Sequence, residues 1–209
     1  MYLINLNSAT SNMNFLYLVA VLFIFAFYSM WFFCVTTAIC SQYAAALPVT
    51  SRNFLTYDSP IYGFKIQYPS DWQKIEFSGV EEGNRKIIVN FVSPMTGPSD
   101  TFREYFIIER GFVKMPTRSL DSSVNTYISS LKSLPNFKLI ESNMLSLATN
   151  PAEKLVYSYN NPQVGVTKTM DTLIIKDDKL FLLSFNSDAA TYNSYLPIIQ
   201  KMLDSFSIS

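Results

Sequence analysis

The apolar and polar positions divide the chain in two. From Phe15 to Cys40 the side chains are apolar, broken only by Ser29, Thr36 and Thr37. At a helical rise of ~1.5 Å per residue the run spans roughly 39 Å, longer than a hydrocarbon core of ~30 Å. A helix on a globular surface carries a polar face, and this run has none, so it is expected in a bilayer. Three fates stay open: a retained anchor, cleavage after Ala44-Ala45-Ala46 as in a secretory signal, or lipidation at Cys40, where the bulky Ile39 fits poorly. Orientation is weakly marked, because Arg52 is the first cation and sits on the wrong side for export. Met13 is an alternative start. The expected organisation is a leader and signal-anchor over 1–46, a linker over 47–53 and a folded domain over 54–209.

Beyond the linker the period shifts to that of strands. Phe64, Ile66 and Tyr68 alternate on one face, and Pro69-Ser70-Asp71 turns the chain. Trp72 to Phe77 reads as the returning strand, Ser78 to Arg85 as a loop, and Lys86 to Val92 and Tyr105 to Val113 as buried strands separated by the loop Ser93 to Thr101. Leu120, Val124, Tyr127, Ile128 and Leu131 recur at helical spacing, with Ser119 as N-cap, Asp121 in the first turn and Pro135 beyond the end. Phe137 to Leu147, Lys154 to Tyr159, Val166 to Ile175 and Leu180 to Phe185 give four more strands, the last two joined by a tight turn at Asp177-Asp178. Tyr192, Tyr195, Leu196, Ile199, Met202, Leu203 and Phe206 form one apolar stripe on a final helix, with Asp188 as N-cap and Pro197 kinking it or opening its second half. Strands and helices without strict βαβ alternation predict an α+β domain with a largely antiparallel central sheet flanked by helices.

Charge and composition narrow the chemistry. Sixteen cations balance sixteen anions, which removes the basic footprint of a nucleic-acid binder. The chain has no histidine, and both cysteines, Cys34 and Cys40, lie in the apolar run. Histidine triads, histidine zinc sites and cysteine nucleophiles are therefore excluded from the domain. Gly-x-Ser-x-Gly and a glycine-rich phosphate loop are both missing, and Ser129, Ser130, Lys132 and Ser133 read as the polar face of a helix.

Two blocks of residues carry a family resemblance. The first runs Tyr57-Asp58-Ser59-Pro60 and then Tyr62-Gly63-Phe64-Lys65-Ile66-Gln67-Tyr68-Pro69-Ser70-Asp71-Trp72; the second runs Tyr195-Leu196-Pro197 through Lys201-Met202-Leu203-Asp204-Ser205-Phe206. Over roughly Phe54 to Ile208 the chain resembles the PsbP family, and more narrowly the PsbP-like domains of membrane-anchored or secreted prokaryotic proteins. The resemblance implies a Mog1/PsbP-like α/β/α sandwich and no catalytic constellation. Plant members help retain calcium and chloride at the photosystem, but the long apolar anchor departs from the plant pattern. Gly63, Phe64, Pro69, Trp72, Tyr195, Pro197 and Phe206 read as folding residues: a turn, a strand break, a helix stripe and large apolar side chains for the core.

The remaining candidates are few. Glu81-Glu82 and Asp177-Asp178 pair carboxylates that suit a hard cation such as calcium, although neither has the spacing of a calcium loop. Tyr157 and Tyr159 share a strand face, and Tyr192 and Tyr195 a helix face, where core packing competes with a binding surface. The expected function is a non-catalytic extracytoplasmic domain, tethered to the membrane or secreted if cleaved near Ala46, that binds or stabilises a membrane protein complex. The alternatives are a carrier or sensor for a small apolar ligand, a calcium-binding accessory protein, and an enzyme using carboxylate or lysine chemistry.

Overall fold

The protein is described from a computed structural model at residues 53–77, 81–82, 85–97, 100, 102–112 and 119–209. The chain divides after Pro48 into two units, and every described residue falls in the second. The expected anchor, its cleavage near Ala46, the lipidation at Cys40 and the start at Met13 lie outside the described residues. Among those residues no helix is long and apolar enough to cross a membrane.

Among the described residues eleven strands and two helices follow in chain order. They are β1 (Phe54–Ser59), β2 (Phe64–Pro69), β3 (Gln73–Glu76), β4 (Glu81–Glu82), β5 (Arg85–Val92), β6 (Tyr105–Phe112), α1 (Leu120–Leu131), β7 (Lys138–Leu147), β8 (Asn150–Asn161), β9 (Gly165–Lys176), β10 (Lys179–Asp188), α2 (Tyr192–Ser205) and β11 (Ser207–Ile208). Where a single central sheet was expected, the strands form two sheets. The smaller is ordered β1-β2-β11; the larger runs β3-β5-β6-β10-β9-β8-β7, with β4 beside β5. All pairings are antiparallel.

Alternation along the strands sorts two cores onto the two faces of the large sheet. On β10, Phe181, Leu183 and Phe185 join Phe64, Ile66, Phe91, Phe106, Ile199, Met202 and Phe206, so α2 and the small sheet cover this face. Leu182 points the other way, with Leu155, Tyr157 and Leu173, and meets Val124 and Leu131 of α1. Burying each of these large side chains contributes about 1.5–3 kcal/mol, so both covering layers are held chiefly by apolar area.

Local chemistry explains most of the ends. Ser119 caps α1 as expected, its hydroxyl oxygen accepting from the Ser122 amide at 3.2 Å. Asp177 and Asp178 both take positive φ, +50° and +60°, the conformation that a two-residue hairpin turn requires. Gly63 turns at φ +72°, and its carbonyl accepts from the Ser209 amide at 2.9 Å, which ties β11 to the β1–β2 turn.

Two further expectations are corrected. Trp72 to Phe77 does not return along β2: Trp72 sits in the turn and β3 crosses to the large sheet, pairing with β5. The partner places on β2 are filled by β1 and β11, which the sequence pattern did not reveal. Asp188 does not cap α2, because β10 runs through it. Its carboxylate accepts from the Ala190 amide at 2.7 Å, and Thr191 is the N-cap. Pro197 lies inside α2, on its exposed side.

Candidate functional site

Among the described residues a concave surface lies where α2 stops covering the large sheet. A groove of about 440 Å³ opens between α2 and strands β7 to β9, on the sheet face that α2 packs against. Val156 and Met170 form its floor. Leu196, Pro197 and Gln200 of α2 form one wall, and Ile140 and Glu141 of β7 the other. Lys154 pairs with Glu141 at 2.6 Å, and the Asn143 amide donates to the same carboxylate at 2.6 Å. The hydrogen bond from Lys154 holds the Glu141 carboxyl below the usual carboxylate range. Lys168 lies 4.2 Å from the centre of the Tyr192 ring, whose hydroxyl is pushed up to about 12 by burial. The groove therefore combines an apolar floor with fixed charges at its rim, the usual composition of a recognition surface.

Strand β7 forms the outer boundary of this groove and the edge of the large sheet. A β-bulge interrupts its pairing with β8 between Leu139 and Glu141, which leaves Ile140 turned into the groove. From Glu141 to Leu147 the register with β8 is regular.

The opposite face of the sheet holds a buried polar cluster beneath α1. Asp171 on β9 is wholly buried, and its Oδ2 accepts from the Tyr127 hydroxyl at 2.7 Å and the Tyr157 hydroxyl at 2.9 Å. Oδ1 faces Ser184, directly opposite in register, without a hydrogen bond of good geometry. Burial pushes the Asp171 carboxyl well above the usual carboxylate range. The Arg85 guanidinium sits 5.5 Å from the centre of the Tyr127 ring and 3.5 Å from Glu109, so its charge is shared before it reaches Asp171. Burial also raises the Tyr127 and Tyr157 hydroxyls. A second buried carboxylate, Glu104, accepts from the Thr191 hydroxyl at 2.6 Å and the Ser93 hydroxyl at 3.2 Å, fastening the start of β6 to the start of α2.

The acidic pairs seen in the sequence gather at one end of the large sheet but not at one point. Glu81 and Glu82 are opposite Lys86 and Arg85, while Asp177 and Asp178 turn between β9 and β10. From β4 to β10 is three strand spacings, about 14 Å, and β5 and β6 intervene. Among the described residues no group of three metal-ligating side chains forms. The residues read as folding motifs sit in or against the core: Phe64, Trp72 and Phe206 are buried, Tyr195 lies edge-on to Trp72 and tilted against Phe185, Gly63 and Pro69 bracket β2, and Pro197 lines the groove. Tyr157 and Tyr192 are buried as well. Asp171, Glu104 and the Glu141–Lys154 pair had no signal in the sequence beyond an acid inside a strand pattern.

A large antiparallel sheet with one helix on one face, and a helix plus a small sheet on the other, is the Mog1/PsbP-like architecture. Solved structures with this arrangement bear that out, though their low identities show the fold alone. Cyanobacterial PsbP from Synechocystis sp. PCC 6803 is 13% identical with a TM-score of 0.55, covering 81% of this chain and 100% of its own. LpqN, involved in cell envelope biogenesis of Mycobacterium tuberculosis, is 13% identical with a TM-score of 0.55, covering 76% and 91%. The Ran-binding protein Mog1p of Saccharomyces cerevisiae is 12% identical with a TM-score of 0.50, covering 76% and 96%. No curated protein sequence matches the chain. The chain belongs to the PsbP family, whose domain it matches over residues 52–208. Membership supports a non-catalytic accessory role in general terms.

Proposed function

We propose that the chain is a membrane-tethered, extracytoplasmic accessory protein that binds and stabilises a membrane protein complex without catalysing a reaction. The observation that carries this reading is the open surface formed by β7 and the groove beside α2. Its rim charges are fixed by neighbours and its floor is apolar, which suits recognition of another molecule. The apolar run from Phe15 to Cys40 supplies the tether in this reading, raising the domain's concentration at the bilayer surface. Family membership supports an accessory role, and the likeness to cyanobacterial PsbP and LpqN supports placement outside the cytoplasm.

The test is affinity purification of the C-terminally tagged full chain from native membranes in mild detergent, with mass spectrometry of what accompanies it. A reproducible stoichiometric membrane complex is the expected outcome. Recovery of the protein alone overturns the reading and favours the carrier of a small apolar ligand, with the groove as its site.

A further inference from the structure

Sheet edges expose unpaired amides and carbonyls, and folded proteins blunt them with shortness, charge or cover. Three of the edge strands here are blunted. Strand β3 has four residues and carries the Lys74–Glu76 ion pair at 2.6 Å; β11 has two residues; β1 lies beside the Asp58–Lys65 pair at 2.8 Å. Strand β7 is different: it is ten residues long, and Leu139, Ile140 and Met144 are 38%, 50% and 61% exposed. Its bulge disturbs only the first residues and leaves the register with β8 regular over Glu141–Leu147.

The two faces of this edge differ in chemistry. On the groove side, Lys138 stands opposite Ser158, which stands opposite Lys168, so two cations flank a serine in one row across β7, β8 and β9. Lys154 is paired with Glu141, and Lys168 lies against Tyr192 two strands in from the edge, so the cation left at the edge itself is Lys138. On the other face Leu139 and Met144 offer apolar area, with Ser142 between them bonded to Glu153 at 2.6 Å. We propose that β7 is a docking edge: over Glu141–Leu147 it accepts an extended segment of a partner polypeptide as a further antiparallel strand. That segment is apolar on the side of Met144 and Leu139 and acidic at the end that meets Lys138. Main-chain hydrogen bonds supply the affinity and the two faces the selectivity, as in other cases of strand addition. The antiparallel sense follows from every other pairing in the two sheets.

This deepens the accessory reading by naming the partner's chemistry, and it is tested apart from it. The full chain in a mild detergent is titrated with labelled peptides of about ten residues, alternating valine and threonine, with two glutamates or two lysines at the C-terminal end. The glutamate peptide binds about tenfold more tightly than the lysine peptide, and its binding slows amide exchange over Glu141–Leu147. Lys138→Glu reverses the preference. Met144→Asp, at an exposed position, weakens both peptides, while Ile61→Asp, exposed on the β1–β2 turn, weakens neither. Equal binding of the two peptides, or protection elsewhere in the sheet, overturns the proposal. So does protection of Glu141–Leu147 that rises with protein concentration without peptide, which assigns the edge to a second copy of the chain. A membrane complex that survives both Met144→Asp and the lysine reversal keeps the accessory reading and removes the edge; peptide docking with no complex recovered does the opposite.

Discussion

Replacing Asp171 by asparagine tests the physics of the buried cluster. The carboxyl is wholly buried, its Oδ2 accepts two tyrosine hydroxyls, and no cation reaches it undivided. Burial raises its titration, so the folded protein holds this proton to higher pH than the unfolded chain does. The sign follows. Below the ordinary carboxylate value of about 4 both states are protonated and the full stability is present. Above it the unfolded chain releases a proton that the folded chain keeps, and stability falls by about 1.4 kcal/mol per pH unit until the folded carboxyl titrates. Other shifted groups act outside this window: the chain has no histidine, Glu141 and Asp100 are lowered and change stability only at and below their ordinary carboxylate values, and the raised tyrosines act near pH 10 and above. Asparagine copies the neutral acid, its oxygen accepting from both tyrosines and its amide directed at Ser184. Chemical denaturation of the full chain in one detergent, followed by near-ultraviolet circular dichroism from pH 5 to 8, should therefore show Asp171→Asn near wild type at pH 5 and flat thereafter. Asp171→Leu strands two hydroxyls and should cost about 2–5 kcal/mol throughout. An asparagine variant that is strongly destabilised at pH 5, or that retains the wild-type slope, refutes a protonated Asp171.

Other changes test separate parts of the structure. Thr149, exposed in the β7–β8 turn, is β-branched yet held at φ +62°; Thr149→Gly should stabilise by about 1 kcal/mol in the same denaturation assay. Phe181, fully buried between Phe64 and Phe206, should cost about 3–5 kcal/mol on change to alanine, seen as a lower denaturation midpoint. Glu104→Ala removes the acceptor for Thr191 and Ser93 and should cost about 2–4 kcal/mol, with amide exchange rising first at the start of α2.

How much of this could be read in advance depends on the range of the interaction. The β9–β10 turn at Asp177-Asp178, the Ser119 cap and the apolar stripe from Tyr192 to Phe206 are local patterns, and each was legible. The crossing of β3 to the large sheet was not, because nothing within Trp72 to Phe77 says that β1 and β11 have already occupied both sides of β2. Strand β11 has two residues and β4 has two, too few for any period to show. The groove was hidden for the same reason, since it joins β7 to β9 with a helix that begins some fifty residues after β7 starts.

Asp171 and β7 are also where local rules and the tertiary structure disagree, and that disagreement separates their roles. A charge-capable residue in the middle of β9 breaks the apolar pattern of a central strand, but α1 and two tyrosines enclose it, so its consequence is confined to stability and pH. The exposed Leu139, Ile140 and Met144 break the complementary rule, that an edge should be short or charged, and among the described residues nothing encloses them. An enclosed violation is satisfied within the domain. An open one has its compensation outside it, which is why recognition is assigned to β7 and the groove rather than to the buried carboxylate.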